Sequence, residues 1–390
     1  MRIAYYITRF LYRDDADGRF SKYLWGGGEI AAYDLAVSMA KRGHEVKIFT
    51  SSADSRDSSQ KYDGISVYRY GTRLAIRTSS IAPGLFRKPM RYAADIVHAH
   101  FTVPPASYAA ALHAKKNKLP LVLTYHAEEQ TNWGSLIRRT GAMLDNILLT
   151  RTLLPSAKAI ISPSEQFIAE SAFLGKYSDK VVTIPNGVNI EDFDIDCPVE
   201  EYKRKLALPL DSRVILFVGA LSPHKMPNLL IKAMPAIIEK VPKAVLVIVG
   251  DGSLRVELER SAVELGIHQS VRFAGFVPRG EVSQYYRSAD VFVLLSVSET
   301  FGIVLLEASA AGLPMIASDL EVFKPIVEDG YNGIVLRKLD ENDLAQAVVR
   351  LLRDDSLRVN MGANARKKVG DYSWAKIAEE TEGLYMSLLN

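Results

Sequence analysis

The 390-residue sequence has a single cysteine, Cys197, and no long hydrophobic run. One cysteine excludes an intrachain disulfide and a metal site built on several thiolates, and it is typical of a reducing compartment. No apolar segment reaches the roughly 20 residues that a transmembrane helix needs. Hydrophobic residues make up 48% of the chain and charged residues 24%. This is ordinary globular composition, so a disordered, collagen-like or coiled-coil chain is excluded.

Common nucleotide-binding and metal-binding motifs are also missing. The sequence has no G-x-x-x-x-G-K-[ST] motif, which argues against a P-loop ATPase. It has no G-x-G-x-x-G directly after the first predicted strand, so the main sequence evidence for a dehydrogenase is missing. Zinc-ligand spacings of cysteine and histidine are absent. We expect His98 and His100, which alternate along a predicted strand, to point to opposite faces, so no metal site is predicted there.

Positive charge is concentrated in one part of the chain. The formal net charge is only +3, but residues 65–160 contain 13 basic and 4 acidic residues. A basic stretch of this length indicates an anionic partner, such as phosphate groups, nucleic acid or a membrane surface. The alternative is a solvated surface that folding distributes over several faces. The aromatic interleaving that is typical of base stacking is absent, so nucleic acid is not an expected partner.

Short apolar runs alternate with helical patterns along the first half of the chain. At about 150 residues per domain, the length predicts two or three domains. The alternation predicts a parallel sheet with helices on both faces. The predicted strands are 2–8, 45–51, 65–69, 95–99, 121–125, 159–162 and 181–185, and the predicted helices are 29–42, 106–116, 141–153 and 164–174.

The same pattern restarts after an acidic, proline-containing segment, residues 192–212, which we interpret as the linker region. The continuous apolar runs that follow are typical of strands buried on both faces. The predicted fold class is α/β, with two doubly wound Rossmann-like domains that face each other across a cleft at the carboxyl ends of their strands. The second series has strands at 213–219, 244–249, 271–274, 290–295, 314–317 and 333–336, and helices at 228–240, 253–265, 280–288, 302–311 and 340–353.

A glycine cluster opens the first predicted helix. Gly26, Gly27 and Gly28 precede Glu29, and glycine lets a ligand approach the backbone closely. The unpaired N–H groups of a helix start favour an anion, so a phosphate or a sugar hydroxyl is expected against this loop. The alternative is a flexible entry turn that binds nothing.

The most informative segment reads SETFGIVLLE and covers residues 298–307. It follows a buried strand and leads into a predicted helix. The N–H groups of Phe301, Gly302 and Ile303 lie at the start of that helix, where they are suited to a diphosphate. This segment therefore predicts a phosphate site at the end of a strand.

Two carboxylates lie eight residues apart in the same segment. Glu299 is on the approach turn and Glu307 is inside the helix. A carboxylate can accept paired hydrogen bonds from the diols of a sugar or a ribose, so the two can serve one extended ligand. The structural alternative is a capping box between Ser296 and Glu299, with Glu307 as an exposed helix charge.

Two further candidates follow predicted strands. In the loop 217–225, Gly219 allows a ligand to approach, and Lys225 supplies a mobile positive charge for phosphate. His126 directly follows strand 121–125, and binding residues concentrate in such loops. A lone histidine is more often structural, so both interpretations of His126 stay open.

Taken together, these segments resemble the retaining GT-B glycosyltransferases of family 4, the glycosyl transferases group 1. The resemblance covers nearly the whole chain, and its most specific element is the Glu-x7-Glu spacing of Glu299 and Glu307. The matching segments are GGGE at 26–29, DIVHAH at 95–100, His126, IPNGV at 184–188, FVGALSPHK at 217–225, IVGDG at 248–252, FAGFVP at 273–278, ADVFVLLS at 289–296 and SETFGIVLLEASAAGLPMIAS at 298–318.

The resemblance implies a two-domain enzyme. An acceptor-side domain is expected at 1–195 and a donor domain, which binds a nucleotide sugar, at 196–372. A final helix, 373–390, is expected to cross back onto the first domain. The implied reaction moves a sugar from a nucleotide-diphosphate sugar to a hydroxyl acceptor with retention, and it needs no metal or other cofactor.

The resemblance also assigns roles to single residues. Glu299 is expected at the hydroxyls of the transferred sugar and His126 near the reaction centre. The implied catalytic residues are His126, Glu299 and Lys225. The implied donor-binding residues are Glu307 at the ribose, Phe276 and Val277 at the nucleobase, Lys225, Phe301, Gly302 and Ile303 at the diphosphate, and Gly219, Gly27 and Gly28 in the loops.

Two positions depart from the pattern of the family. The family often has arginine where this chain has Ala220, and glycine where it has Met226. An arginine can clamp a phosphate through two parallel hydrogen bonds, so its loss puts donor identity and rate in question. His224 and Arg279 are the candidates that could substitute for it.

We therefore predict a retaining, metal-independent hexosyltransferase. The acceptor is expected to be lipid-linked, a glycan or a small molecule. The alternatives are a nucleotide-sugar 2-epimerase of the same architecture, and a silent protein that binds sugar nucleotides or polyanions. Apolar residues beside cations at 84–91 and at Arg138 and Arg139 predict contact with an anionic membrane. The expected location is cytoplasmic, with peripheral attachment to the inner face of the membrane.

Overall fold

The structure, a computed structural model, divides the chain into two compact units. Unit 1 comprises Met1–Gly187 together with Trp374–Asn390, and unit 2 comprises Val188–Ser373. The change of unit at Gly187–Val188 lies before the predicted boundary at 195–196. The residues that the structure describes are 1–12, 26–76, 79–126, 136–194 and 197–390.

The strands are short, and the central ones are buried along both faces. They are β1 (Arg2–Tyr6), β2 (Glu45–Ser51), β3 (Ser58–Tyr62), β4 (Ile65–Tyr70), β5 (Leu74–Ile76), β6 (Ser79–Ile81), β7 (Ile96–Phe101), β8 (Leu121–Tyr125), β9 (Ala159–Ser162), β10 (Val181–Thr183), β11 (Arg213–Val218), β12 (Ala244–Val249), β13 (Val271–Gly275), β14 (Val291–Leu294), β15 (Met315–Ser318) and β16 (Gly333–Leu336).

The helices separate most of these strands along the chain. They are α1 (Gly27–Lys41), α2 (Ala106–Asn117), α3 (Leu136–Leu148), α4 (Leu154–Ser156), α5 (Glu165–Glu170), α6 (Val199–Lys205), α7 (Pro227–Lys240), α8 (Arg255–Glu264), α9 (Arg279–Ser288), α10 (Ile303–Ala310), α11 (Glu341–Arg353), α12 (Asp355–Lys368) and α13 (Trp374–Leu389).

Unit 1 is built on a sheet with the strand order β10-β9-β8-β7-β1-β2-β4-β3. Neighbouring strands run parallel except for β3, which pairs antiparallel with β4 at the edge. Strands β5 and β6 form a separate antiparallel ribbon. The last helix, α13, belongs to this unit and packs against α1.

Unit 2 is built on a parallel sheet with the order β13-β12-β11-β14-β15-β16. Every residue of β12 and β14 is buried, because helices cover both faces of a doubly wound sheet. The predicted α/β class with two Rossmann-like sheets is therefore confirmed. In such a sheet, ligands bind beyond the carboxyl ends of the strands, and the loops that follow β11 to β15 define this edge.

The linker interpretation of residues 192–212 is wrong. This segment contains α6 and lies within unit 2. Phe193 and Tyr202 are buried at 4% and 2% exposure, and Phe193 packs edge-on against Tyr286. The acidic and proline residues of this segment suggested a linker, but the aromatic side chains of the segment contribute to the core of unit 2.

The sequence patterns missed several elements, and β3 and α12 show two different reasons. Strand β3 is half-exposed and mostly polar, so no apolar run marks it. Helix α12 buries only Met361, Gly362 and Ala365, and its capping residue Asp354 accepts a hydrogen bond from Leu357 N. No helix in the described part of the chain is long and apolar enough to cross a membrane.

Candidate active site

The loops after β11, β12 and β13 are joined by backbone hydrogen bonds. Gly219 N donates to Val249 O at 2.9 Å, and Gly250 N donates to Gly275 O at 2.8 Å. Gly250 has φ +131°, and a Cβ there would lie 2.0 Å from the carbonyl oxygen of Gly219. Glycine at 250 is therefore required for the two loops to pack this closely.

Lys225 and Glu299 meet at the carboxyl ends of adjacent strands. Lys225 Nζ donates to Glu299 Oε1, which also accepts a hydrogen bond from Ser296 Oγ at 2.7 Å. The two charged side chains are only 14% and 13% exposed. Bonds between ionised partners are shorter and stronger than neutral ones, so this arrangement fixes both groups at the edge of the sheet.

The capping-box alternative for Ser296 and Glu299 is wrong. Helix α10 begins at Ile303, with Gly302 as its N-cap at φ +94°. Both residues therefore precede the helix, and Glu299 lies on the loop rather than on a helix face. A Cβ at Gly302 would lie 2.8 Å from Cε1 of Phe323, so glycine is required at the point where the helix starts.

The first N–H groups of α10 have no partner within the helix. Phe301, Gly302 and Ile303 supply backbone amides at this end, and the helix dipole gives it partial positive charge. Lys225 reaches the same loop through Glu299. The arrangement has the properties of an anion site, with a lysine from the loop after β11 beside the loop after β14 that leads into a helix start.

Glu307 is held by a buried tyrosine of α9. The hydroxyl of Tyr286 donates to Oε2 of Glu307 at 2.7 Å. Burial and the neighbouring carboxylate raise the pKa of Tyr286 well above its usual value, so the phenol stays protonated and acts as the donor. Glu307 is half-buried, which makes the exposed-charge alternative wrong.

The residues predicted at a nucleobase follow β13. Phe276 is 53% exposed and Val277 is half-buried. Gly275 has φ +71°, and a Cβ there would lie 3.0 Å from Nη1 of Arg255. The turn therefore directs an exposed aromatic ring outward at the same edge of the sheet as Gly219.

The two departures from the family pattern have distinct surroundings. Ala220 is exposed, so a longer side chain has room there. Met226 has φ +48°, a left-handed conformation that explains why glycine is usual at this position. His224 is a poor replacement for an arginine, because burial and Lys225 lower the pKa of its imidazole. Arg279 begins α9.

In unit 1, the glycine cluster starts α1. Gly26 N donates to Glu29 Oε2 at 2.8 Å, and the helix begins at Gly27. A Cβ at Gly28 would lie 2.6 Å from Cγ2 of Thr102 and 3.2 Å from Cγ of His126. Packing against these two side chains therefore explains the glycine at position 28 without any ligand.

His126 lies directly after β8 and is 7% exposed. Its backbone N donates to Phe101 O at 3.1 Å, and its Nε2 is 3.0 Å from Nδ1 of His100. Burial lowers the pKa of His126 to about 4. The imidazole is therefore neutral near pH 7, where it can donate one hydrogen bond and accept one.

The prediction that His98 and His100 face opposite sides is wrong. Their ring centroids are 4.5 Å apart and nearly parallel. Side chains alternate along a strand, so residues i and i+2 share a face. Even so, no group of three or more metal-ligating side chains in the described part of the chain could hold an ion.

The segments that were predicted to contact an anionic membrane expose only some of their side chains. Within 84–91, Leu85 and Pro89 are buried, whereas the cations at 87, 88 and 91 are exposed. The side chains of Arg138 and Arg139 lie outside the described residues. Exposed apolar side chains appear further along α3 instead, at Met143, Ile147 and Leu148.

Comparison with known proteins assigns the family. The family Glycosyl transferases group 1 matches residues 198–368, and the family Glycosyltransferase Family 4 matches residues 25–192. An uncharacterized glycosyltransferase of Methanocaldococcus jannaschii is 32% identical over 375 residues, covering 92% of this chain and 94% of the relative. The D-inositol 3-phosphate glycosyltransferase of Corynebacterium glutamicum is 26% identical, covering 92% and 91%.

Solved structures share the fold. Anabaena HepE, determined in complex with UDP and glucose, aligns with a TM-score of 0.76 at 20% identity, covering 99% of this chain and all of HepE. WaaG, a glycosyltransferase involved in lipopolysaccharide biosynthesis, aligns with a TM-score of 0.75 at 19% identity, covering 98% and 99%.

Two Rossmann-like sheets, with a charged site at the strand ends of the second unit, define the GT-B fold. The chain belongs to the glycosyl transferases group 1. It is therefore a sugar-transferring enzyme, and sugar transfer is favoured over the epimerase and the silent binding protein.

Proposed function

We propose that the enzyme moves a sugar from a nucleotide-diphosphate sugar to a hydroxyl acceptor, with retention of configuration and without a metal ion. The observation that carries this proposal is the partly buried Lys225–Glu299 ion pair beside the first turn of α10. It combines a cation for a phosphate, on the loop after β11, with a carboxylate for sugar hydroxyls, on the loop after β14.

The diphosphate is assigned to Lys225 and the amides of Phe301, Gly302 and Ile303. Gly219 lets the donor approach the backbone, because it has no side chain and its φ of +154° favours glycine. A bound phosphate competes with Glu299 for the lysine. Donor binding would therefore exchange the internal ion pair for a phosphate contact, and Glu299 could then accept hydrogen bonds from the transferred sugar.

The nucleoside is assigned to the edge formed by α10 and the loop after β13. Glu307 accepts from Tyr286 through Oε2, which orients the carboxylate toward a ribose diol. The exposed ring of Phe276, with Val277 beside it, offers an apolar border for a base. UDP bound to HepE makes uridine nucleotides the first donors to test.

The transfer step is assigned to charge stabilisation rather than to a covalent intermediate. Lys225 and the dipole of α10 neutralise the leaving diphosphate, which replaces a divalent metal. His126 and the first turn of α1, which begins with Gly27 and Gly28, are the groups of unit 1 assigned to this step. In a retaining reaction the acceptor attacks on the face from which the diphosphate leaves, so positioning supplies most of the rate.

The acceptor is assigned to unit 1, and a phosphorylated polyol is the first candidate. Several relatives that match more than nine-tenths of this chain, at 25–28% identity, are D-inositol 3-phosphate glycosyltransferases. The basic excess of residues 65–160 is compatible with a phosphate on the acceptor. The alternative is a lipid-linked or glycan acceptor.

A thermal-shift screen of UDP, GDP and ADP sugars tests the donor assignment. A ligand at 100 times its dissociation constant stabilises the folded state by about 2.7 kcal/mol. The stabilising donor is then incubated with D-inositol 3-phosphate and with lipid extracts, and products are analysed for anomeric configuration. An inverted product contradicts retention. Release of UDP and an epimerised sugar without any acceptor contradicts transfer.

A further inference from the structure

Three histidines of unit 1 are stacked at the carboxyl ends of β7 and β8. The ring centroids of His98 and His100 are 4.5 Å apart, and those of His100 and His126 are 5.3 Å apart. The exposed fractions of the three residues are 0%, 2% and 7%. Burial therefore increases along the stack, away from His126.

Both ring nitrogens of His98 have partners. Nδ1 is hydrogen-bonded to the hydroxyl of Tyr385, and Nε2 to Thr124 Oγ1 at 2.7 Å. The Tyr385 hydroxyl also lies 3.0 Å from the hydroxyl of Tyr5. Tyr385 comes from α13, so the last helix of the chain fixes the orientation of the first ring in the stack.

His100 has one bonded nitrogen and one without a partner. Its Nδ1 is 3.0 Å from Nε2 of His126. Its Nε2 is buried and has no hydrogen-bond partner in the described part of the chain. Burial lowers the pKa of His100 well below 6.5 and that of His126 to about 4. Both rings are therefore neutral near pH 7 and carry one proton each.

The orphaned nitrogen decides where these protons lie. If His100 carried its proton on Nε2, a buried N–H group would have no acceptor, and such groups are rare in folded proteins. If the proton is on Nδ1, His100 donates to Nε2 of His126. The buried Nε2 of His100 is then unprotonated and leaves no N–H group without an acceptor. His126 must then carry its own proton on Nδ1, the nitrogen that is not bonded to His100.

We propose that His100 is a positioning residue that fixes His126 in the Nδ1–H tautomer, and that Tyr385 of α13 supports it by holding His98 in the stack. The proposal rests on the role in sugar transfer proposed for His126. In this tautomer His126 presents a hydrogen-bond donor to an oxygen of the substrates and cannot act as a base through Nδ1.

Two nearly isosteric substitutions separate donation from packing. His100→Asn keeps an N–H near the position of Nδ1, whereas His100→Leu fills similar space without a donor. ¹⁵N-histidine NMR of the full chain reads the protonated nitrogen of each ring, and the His126 signals are assigned by their loss in His126→Gln. Wild type and His100→Asn are expected to show the proton of His126 on Nδ1. His100→Leu is expected to show a mixture of tautomers.

Kinetics provide the second measurement. For His100→Leu, kcat is expected to fall by about tenfold or more, while the donor KM changes less than about threefold. The reason is that a misplaced His126 slows the transfer step and not the binding of the donor. His100→Asn is expected to recover most of kcat. Tyr385→Phe, which removes the hydroxyl held by His98, is expected to lower kcat by a smaller factor.

Tyr6→Phe is the matched control. It removes a buried tyrosine–histidine hydrogen bond of the same unit, from Tyr6 to Nδ1 of His113 at 2.7 Å, and is expected to leave kcat and the His126 tautomer unchanged. A wild-type His126 protonated on Nε2 overturns the proposal, as does His100→Leu with the wild-type tautomer. An undiminished kcat in His126→Gln overturns the proposed role of His126 in transfer, while the NMR result still decides the tautomer.

Discussion

The hydroxyl of Tyr286 donates a hydrogen bond of 2.7 Å to Oε2 of Glu307. The two residues come from neighbouring helices, α9 and α10, and the tyrosine is fully buried against Phe193 and Phe292. A carboxylate held in this way loses little rotational freedom when it binds a ligand. Under the proposed function, Glu307 is therefore already oriented for a ribose diol before the nucleotide binds.

Substitutions at this pair are expected to weaken nucleotide binding in a graded way. Glu307→Ala removes the acceptor for the ribose and is expected to weaken the binding of bare nucleotide by tenfold or more, about 1.4 kcal/mol. Tyr286→Phe leaves the carboxylate but frees it, and is expected to have a smaller effect, about 1 kcal/mol. Calorimetry with UDP and GDP measures both. Unchanged affinity in Glu307→Ala would show that the ribose lies elsewhere.

The Lys225–Glu299 pair predicts opposite effects on binding and turnover. Glu299 competes with a phosphate for Lys225, so Glu299→Gln is expected to bind nucleoside diphosphate at least as tightly as wild type. Its kcat is expected to fall by about 100-fold, because contacts to the sugar in the transition state are lost. Lys225→Met is expected to weaken nucleotide binding.

Lys240→Ala is the control for that experiment, because Lys240 forms a comparable but exposed pair with Glu239. Exposed pairs contribute at most about 1 kcal/mol, and neither binding nor kcat should change. Weaker nucleotide binding in Glu299→Gln, with kcat preserved, would reverse the roles assigned to the two residues.

Activity is expected to persist without a divalent metal. We propose that Lys225 and the first turn of α10 supply the positive charge that a metal provides in other transferases. Turnover in excess EDTA should match turnover in buffer, and added Mg²⁺ or Mn²⁺ should not raise it. Loss of activity in EDTA that is restored by either metal would refute the assignment.

Gly28→Ala is expected to destabilise unit 1 through a single close contact. The added Cβ would lie 2.6 Å from Cγ2 of Thr102, and overpacking of this kind costs about 1–3 kcal/mol. Because Thr102→Ser removes that methyl group, the double variant should recover part of the loss. Gly383→Ala in α13 is the control, since nothing lies within 4 Å of its Cβ.

In that control, removing a glycine from an exposed helix interior should raise stability by about 0.5–1 kcal/mol. Urea denaturation measures all four proteins. If Gly28→Ala unfolds at the wild-type urea concentration, the close packing of α1 on Thr102 and His126 is not a constraint on this position.

Membrane contact, if present, is expected to depend on α3. Met143 and Ile147 lie one turn apart on that helix and are 60% and 37% exposed. Each cation near an anionic surface contributes about 1 kcal/mol, and the exposed cations at 87, 88 and 91 belong to the same unit as α3. Sedimentation with anionic vesicles should show binding that high salt abolishes and that Met143→Ser with Ile147→Ser weakens.

Val256→Ser in α8 serves as the comparison, because Val256 is 78% exposed but belongs to unit 2. It should leave vesicle binding unchanged. Absence of the wild-type protein from anionic and neutral pellets at low salt would reject membrane contact and favour a soluble acceptor.

The sheets were predictable from sequence because strands covered on both faces have no polar positions, as β12 shows throughout its length. The rule that parallel strands present their carboxyl ends together also predicted that Gly219, Lys225 and Glu299 follow strands of one sheet. Pattern alone cannot predict that Lys225 and Glu299, 74 residues apart, form an ion pair. That pairing depends on the conformations of two loops and on side-chain rotamers.

The errors have equally local causes. Ser296 and Glu299 have capping-box spacing, but the helix starts later because Gly302 adopts a left-handed conformation. Tyr286 gave no sequence signal, since its contact with Glu307 arises only from the packing of α9 on α10. His98 and Tyr385 are 287 residues apart, a separation over which apolar periodicity carries no information.

The assignment of α13 to unit 1 sets an order of events during synthesis. The ribosome completes all of unit 2 before it adds Trp374–Leu389, so the sheet of unit 1 lacks helix α13 until unit 2 has been synthesised. Until then Tyr5 and His98 lack the hydroxyl of Tyr385. A nascent chain that stalls after unit 2 therefore has a complete second unit but an unfinished histidine stack.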